Sequence, residues 1–247
     1  MSLKRTALVT GAASGIGRRL AEGLASEGCM VYGLDIRPME PTGSPGDADG
    51  SVTGILCDVS KKEDVYAALE RIEREVGILS YVLNAAGIIS CQRCYPIRDI
   101  PAGEWERVLA VNLTGTFLVT QAALPLMTGG GCILSFSTEQ VKKPNLKSAP
   151  YAVSKAGIEM LTRILALEHR KRIRANTVAL GSVNTGFIRH MTGSETELRE
   201  KMERADLSMP FGLIQTEAVW KLVRYLLFEG DQITGQTILM DSGMTLT

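Results

Sequence analysis

Tyr151-Ala152-Val153-Ser154-Lys155 sets a phenol and an ammonium four residues apart, and Ile158, Leu161 and Leu165 continue the segment at helical spacing. That offset puts Tyr151 and Lys155 on one face of a helix, where they can act together. A free phenol has a pKa of about 10, so acid/base work near neutral pH needs a shift of some three units, on the order of 4 kcal/mol of preferential tyrosinate stabilisation. A neighbouring ammonium is one source of such a shift. Taken alone, the pair also fits an ordinary solvated helix face.

A second group of residues changes that weighting. Thr10-Gly11-Ala12-Ala13-Ser14-Gly15-Ile16-Gly17 follows the apolar run Ala7-Leu8-Val9 and opens the pattern Leu20, Leu24, which is where a strand turns into a helix. Gly11 suits the tight turn, Gly15 a close approach of backbone to a pyrophosphate, and Gly17 close packing of helix on strand. The free N–H groups of Ser14, Gly15 and Ile16 and the positive helix end would then face phosphate. Asp35 ends the next apolar run, near the separation of about 20 residues at which an acidic side chain accepts hydrogen bonds from the adenosine ribose. A 2′-phosphate beside it would bring like charges together, so Asp35 favours NAD over NADP, and the nearby Arg37 partly offsets that preference. An oxidised nicotinamide ring would be the second positive group acting on Tyr151.

Composition sets the frame for these residues. The chain has 247 residues, of which 45% are apolar and 22% charged, values ordinary for a globular protein with one substantial core. Its 27 Lys+Arg balance 27 Asp+Glu, so no net field would hold nucleic acid or an anionic bilayer. No apolar run reaches the ~18 residues of a membrane span. Five cysteines sit mostly within apolar runs, as reduced thiols do, and the N-terminus lacks a signal-peptide pattern, so the expectation is a cytoplasmic protein with no metal site. Cys91-Gln92-Arg93-Cys94 has ligand spacing, but no second pair or histidine lies close in sequence.

Short apolar runs alternate with amphipathic stretches. Strands are expected at Thr6–Thr10, Cys29–Leu34, Val52–Leu56, Ser80–Leu83, Cys132–Phe136, Ile173–Ala179 and Thr237–Met240. Helices are expected at Ile16–Glu27, Glu63–Val76, Pro101–Met127, Tyr151–Lys171 and Thr216–Phe228. Strands apolar on both faces belong to a parallel sheet covered on both sides, so the α/β pattern predicts a single-domain, Rossmann-like doubly wound sheet in a three-layer α/β/α arrangement. Pro38–Gly50, rich in Gly, Pro and Asp, reads as a long surface loop.

These residues resemble the short-chain dehydrogenase/reductase family, in its NAD(P)-dependent members of about 250 residues. The resemblance is carried by the glycine turn, Asp58-Val59, Asn84-Ala85-Ala86-Gly87, Asn112, Tyr151 with Lys155, Asn176-Thr177-Val178 with Gly181 and Thr185, and Thr234-Gly235-Gln236 with Asp241-Ser242-Gly243. It implies that Tyr151 exchanges a proton with the substrate oxygen, that Lys155 holds the nicotinamide ribose, and that Asn112 anchors a water in a proton relay. It further implies that Asp58 and Val59 border the adenine, that Asn84, Ala86 and Gly87 line the cofactor path, and that Val183 and Thr185 contact the carboxamide end. Two positions depart from the family. Its usual catalytic serine is Thr138 here, with Ser137 beside it as an alternative in case of a one-residue slip, and the usual proline after the sixth strand is Leu180. Threonine keeps the hydroxyl but adds a methyl that narrows the pocket.

The expected activity is therefore hydride transfer between NAD and a small secondary alcohol or ketone. An NADP(H)-linked carbonyl or 3-oxoacyl reductase is the alternative, and a nucleotide-sensing protein without turnover a remoter one. Substrate choice would lie in the segments Ile88–Ile100, Glu139–Pro150 and Gly186–Pro210, the last read as a lid over the site. Lys142, Lys143, Lys147, Arg93, Arg98, Arg189 and His190 in these segments would suit an anionic substrate, though charged loops are commonly just solvated. Apolar residues on more than one side of the two central helices, with the family habit of pairing through them, point to a homotetramer.

Overall fold

The computed structural model describes residues 5–40, 42, 50–89, 96–146, 148–186, 194–207 and 209–246. Seven strands, β1 (Thr6–Thr10), β2 (Met30–Asp35), β3 (Ser51–Leu56), β4 (Tyr81–Asn84), β5 (Gly131–Thr138), β6 (Ile173–Leu180) and β7 (Thr237–Met240), form one sheet. Every neighbouring pair is parallel, in the order β3-β2-β1-β4-β5-β6-β7. The helices between them are α1 (Gly15–Ser26), α2 (Lys62–Glu75), α3 (Ala102–Leu109), α4 (Gly115–Ala123), α5 (Ala149–Glu168), α6 (Glu195–Leu207) and α7 (Thr216–Phe228).

Alternation along the strands builds two cores. Ala7 and Val9 of β1 face a layer containing Leu20 and Leu24 of α1 and Trp220 and Val223 of α7. Leu8 between them faces the opposite layer, with Val65 and Leu69 of α2, Val119 of α4 and Leu165 of α5. Both faces of the sheet are dry, which is why its strands read as unbroken apolar runs. The chain winds outward from β1 to β3 and then returns to β4 on the other side of β1. The carboxyl ends of β1 and β4 thus flank the crevice in which open α/β sheets bind their ligands.

Two expected elements differ in detail. The helix anticipated over Pro101–Met127 is one helical path, but a single π-turn, Ala110–Thr114, interrupts it. The cause is Asn112: its Oδ1 accepts from Ile88 N–H at 2.8 Å, and its Nδ2 donates to Ile88 O at 2.9 Å and Ser154 Oγ at 3.0 Å. Turning that amide inward widens the helix locally, as π-turns at functional positions do. The stretch Ala102–Leu126 has the length and hydropathy to cross a membrane, although no run in the sequence is continuously apolar; 44% of its most apolar 18 residues is buried inside the protein. The loop expected at Pro38–Gly50 is partly tied down, since Thr42 pairs with Val52 in an antiparallel bridge and Met39 packs against Gly33 and Gly54. Within Gly186–Pro210 the described part is Gly186, residues 194–207 with α6, Met209, which is buried, and Pro210, while Leu207 is 86% exposed. Cys91, Arg93, Cys94, Lys147, Arg189 and His190 lie outside the described residues.

Candidate active site

The glycine turn lies at the carboxyl end of β1, at the crevice. Gly11 takes φ +69°, a conformation costly for any residue with a Cβ. Its N–H donates to Leu34 O at 2.8 Å, pinning the turn to β2. A Cβ on Gly17 would stand 2.2 Å from the Gly11 carbonyl oxygen, so this position tolerates no side chain while the turn keeps its shape. Ser14 precedes α1 in an extended conformation and makes no side-chain cap bond, which leaves the first N–H groups of the helix for a ligand. Thr185, from the segment after β6, approaches the turn from above, its Cβ 3.6 Å from where a Cβ on Gly15 would stand. These features fit a pyrophosphate. Gly17→Ala is expected to abolish dinucleotide binding with a smaller loss of thermal stability, and calorimetric titration with NAD and NADP beside a melting curve checks this.

Asp35 closes the β2 side of this turn. It is 7% exposed, and its carboxylate accepts from Ala13 N–H and Arg37 N–H, each at 3.0 Å. The Arg37 guanidinium lies 3.4 Å from the same carboxylate and donates to Ser14 Oγ at 2.5 Å. One carboxylate is thus fixed against the glycine turn, with a half-exposed cation bridging the two.

The other predicted cofactor residues share this crevice but divide by what their side chains do. Asp58 accepts from Ser60 N–H at 3.0 Å and Ser60 Oγ at 2.6 Å, so its carboxylate shapes the start of α2. Val59 is buried and packs on Gly115. The Asn84 amide turns into the protein, donating to Thr120 Oγ1 at 3.1 Å. Ala86 N–H donates to Thr10 Oγ1 at 3.0 Å, which fixes the β4 end to the β1 end. Val183 bridges to Ile214 beyond β6. Leu180 is not a loop residue: it ends β6 opposite Met240, buried in the core, and Gly181 makes the turn.

The chemical residues converge one strand further along. Lys155 is 5% exposed, and its Nζ donates to Phe136 O at 2.9 Å. A Cβ on Gly87 would lie 3.4 Å from both Lys155 Nζ and Asn112 Oδ1, so β4, the π-turn and α5 meet at that point. Tyr151 lies within the influence of the Thr138 hydroxyl, which favours the ionised phenol. Ser137 points to the other side of β5, donating to Glu159 Oε1 at 2.7 Å. The alternation of a strand separates these two hydroxyls, and only Thr138 faces the tyrosine.

Electrostatically the site departs from the expectation of an acidified phenol. In the protein alone, burial, reinforced by the nearby Glu139 carboxylate, pushes the Tyr151 phenol above its ordinary value. Burial also pulls Lys155 down to about 8, and its ammonium is directed at a main-chain carbonyl while standing over the tyrosine ring, 5.7 Å from the centroid. Lys155 does not by itself acidify Tyr151 in this arrangement. Glu139 escaped notice in the sequence because it lies in a short turn after β5, where periodicity carries no signal. Its position at a strand's carboxyl end was the one available clue.

Comparison with known proteins agrees with this architecture. A family model described as enoyl-(acyl carrier protein) reductase matches residues 11–245. A short-chain type dehydrogenase/reductase of Picea abies is 34% identical, covering 97% of this chain and 92% of its own. The 3-oxoacyl-[acyl-carrier-protein] reductase of Mus musculus is 31% identical over 99% of this chain and 100% of its own. The ligand-free aldohexose dehydrogenase of Thermoplasma acidophilum superposes with a TM-score of 0.87 at 28% identity, covering 99% of this chain and 95% of its own. With a parallel seven-stranded sheet, a glycine turn at its crevice and a tyrosine–lysine helix beside it, this chain belongs to the short-chain dehydrogenase/reductase family, oxidoreductases that use a nicotinamide cofactor.

Proposed function

We propose that this oxidoreductase interconverts a secondary alcohol and its ketone using NAD, with Tyr151 as the acid/base. The observation that carries the reading is the meeting of Tyr151, Thr138 and Lys155 beside Gly87 and Asn112, on the same crevice as the glycine turn and Asp35. The bound nicotinamide would supply the redox chemistry, exchanging a hydride with the substrate carbon. The chain's own residues do the rest. Tyr151 Oη gives or takes the proton of the substrate oxygen. Thr138 Oγ1 holds that oxygen in place. Lys155 Nζ, released from Phe136 O, would hold the ribose hydroxyls and carry positive charge to the tyrosine. The Asn112 amide gives both its protons to Ile88 O and Ser154 Oγ and accepts from Ile88 N–H, so its part in a proton relay is to keep the π-turn open beside Lys155 and to offer water the second acceptor position of Oδ1.

NAD is favoured because Asp35 is fixed and buried beside the glycine turn, where its charge would oppose a 2′-phosphate. Asp35→Ser should cut discrimination against NADP by about tenfold or more, since one removed like-charge contact is worth roughly 1.4 kcal/mol or above. Initial rates with each cofactor read this directly. The alternative, an NADP(H)-linked carbonyl or 3-oxoacyl reductase, draws support from the Arg37 guanidinium already seated on Ser14 and from the mouse relative. A cofactor-monitored screen of secondary alcohols and ketones tests both readings. Turnover with NAD supports the first, and a strong NADP preference replaces it with the second.

We also assign the chain to a homotetramer, because Phe117 of α4 and Met160, Ile164 and Leu167 of α5 stand exposed on adjacent helices. Gly186–Pro210, including α6, is assigned as the substrate lid. A cytoplasmic setting suits the buried free thiols of Cys29, Cys57 and Cys132.

A further inference from the structure

Thr138 carries one hydroxyl proton, and two groups compete for it. On one side stands Tyr151, whose ionised form the Thr138 hydroxyl favours. On the other is Glu139, whose Oε2 lies 2.6 Å from Thr138 Oγ1, the short separation of an O–H bonded to a carboxylate. Glu139 is 6% exposed and belongs to the turn that follows β5. The groups facing its carboxyl are Tyr151 from α5, Asp241 from the segment after β7, and the Gln140 amide from its own turn. Lys143 of the same turn reaches away, to Met244 O at 3.4 Å. Among the described residues, the groups that shift the Glu139 carboxyl include no cation.

We propose that Glu139 is a positioning residue of the reaction centre, which decides through Thr138 whether that hydroxyl offers its proton to the substrate oxygen or withholds it. This rests on the assignment of Tyr151 and Thr138 under Proposed function. When Glu139 is ionised, Thr138 must donate to it, and toward Tyr151 and the substrate it can only accept. When Glu139 is protonated, it donates to Thr138 Oγ1 and the threonine proton is free to point at a carbonyl oxygen. Ketone reduction needs the second state, because the developing alkoxide must receive hydrogen bonds. Burial and the charge of Asp241 push the Glu139 carboxyl upward, against the opposing bond from Thr138, and so favour the protonated form. Neither the glycine turn nor the tyrosine–lysine spacing requires an acidic residue here; the feature belongs to this chain's own sequence, Ser137-Thr138-Glu139-Gln140.

Two measurements test the proposal. In the full chain labelled at glutamate carboxyls, the Glu139 resonance is identified by its loss in Glu139→Gln, and its titration is followed by carbon NMR. Tyr151→Phe should move that titration upward by a few tenths of a pH unit although the substituted ring would sit no closer to the carboxyl, and the same substitution in a Thr138→Val background should move it not at all. An unmoved titration in the first case, or an equal shift in both, overturns the coupling. The second measurement is the pH profile of ketone reduction, with the ketone taken from the cofactor screen. Wild-type kcat/KM should fall about tenfold per pH unit above the Glu139 titration. Glu139→Gln, whose amide donates permanently to Thr138, should lack that limb and keep only the later one of Tyr151. Parallel profiles would assign Glu139 a merely structural part. Tyr151→Phe separates the two readings: if it retains more than a tenth of wild-type turnover the proposed function fails, whereas an inactive Tyr151→Phe with parallel Glu139→Gln and wild-type profiles sinks only the role of Glu139.

Discussion

Tyr151→Phe should reduce turnover by about 10³-fold or more while leaving NAD affinity within about twofold of wild type. The substitution removes one oxygen and keeps the ring, so packing on α5 is preserved and the only loss is the group that moves the substrate proton; general acid/base catalysis is worth about 10²–10⁴-fold, and no other hydroxyl at the site can replace it cheaply. Thr138 is the nearest candidate, but its alkyl hydroxyl, already bonded to Glu139 at 2.6 Å, ionises far less readily than a phenol. Single-turnover rates and calorimetric NAD titration, measured on the same preparation, separate the two expectations. A variant that keeps more than a tenth of the wild-type rate would remove Tyr151 from the mechanism.

Lys155→Met should have the second largest effect, and in two directions at once. Turnover and NAD affinity should both fall by about 10²-fold, because Nζ is the buried cation next to Gly87 and Asn112 that the proposed function assigns to the nicotinamide ribose. Stability should respond differently. Burial depresses the Lys155 ammonium from 10.5 to about 8, so below pH 8 both the folded and the unfolded chain carry the proton and the folded state bears the full cost of a buried charge. Between about 8 and 10.5 the unfolded chain holds the proton that the folded chain has released, and wild-type stability climbs with pH across that window, by roughly 3 kcal/mol in all. Lys155→Met should lack this climb. At pH 7 it should be at least as stable as wild type, even after the Phe136 carbonyl loses its partner. Denaturant unfolding at pH 7 and pH 10 checks both values. Equal pH slopes for the two proteins would mean that Lys155 titrates normally and is not a desolvated cation waiting for a ligand.

The sequence was most legible where local pattern and long-range structure demand the same thing. Thr6–Thr10, Thr216–Phe228 and Thr237–Met240 were bounded to the residue, because a two-faced apolar run or an amphipathic stretch flanked by turn residues leaves few other ways to bury it. The glycine turn was legible for a different reason: Gly11 at φ +69° and Gly17 against a carbonyl permit almost no other residue. The π-turn was not legible, since Ala110–Thr114 has ordinary helical composition and its distortion comes from Ile88 and Ser154, partners distant in sequence. The choice between Ser137 and Thr138 needed the sheet, because only the pleat reveals which of two adjacent hydroxyls turns toward α5. The direction of the Tyr151 shift was misread for the same kind of reason. A lysine four residues away in sequence suggests an acidified phenol, but three-dimensional burial and a carboxylate from another element act the opposite way. Under the proposed function, acidification would accompany cofactor binding, with Lys155 leaving Phe136 O and a positive ring arriving.

A crystal structure of the full chain with NAD is the most direct test of that claim. The nicotinamide ring is expected against Tyr151 with its reactive carbon open to the space beside Thr138, the ribose hydroxyls on Lys155 Nζ, and the adenosine ribose on Asp35. A ring placed elsewhere, or a Tyr151 hydroxyl turned away from it with Lys155 still bonded to Phe136 O, would contradict the account.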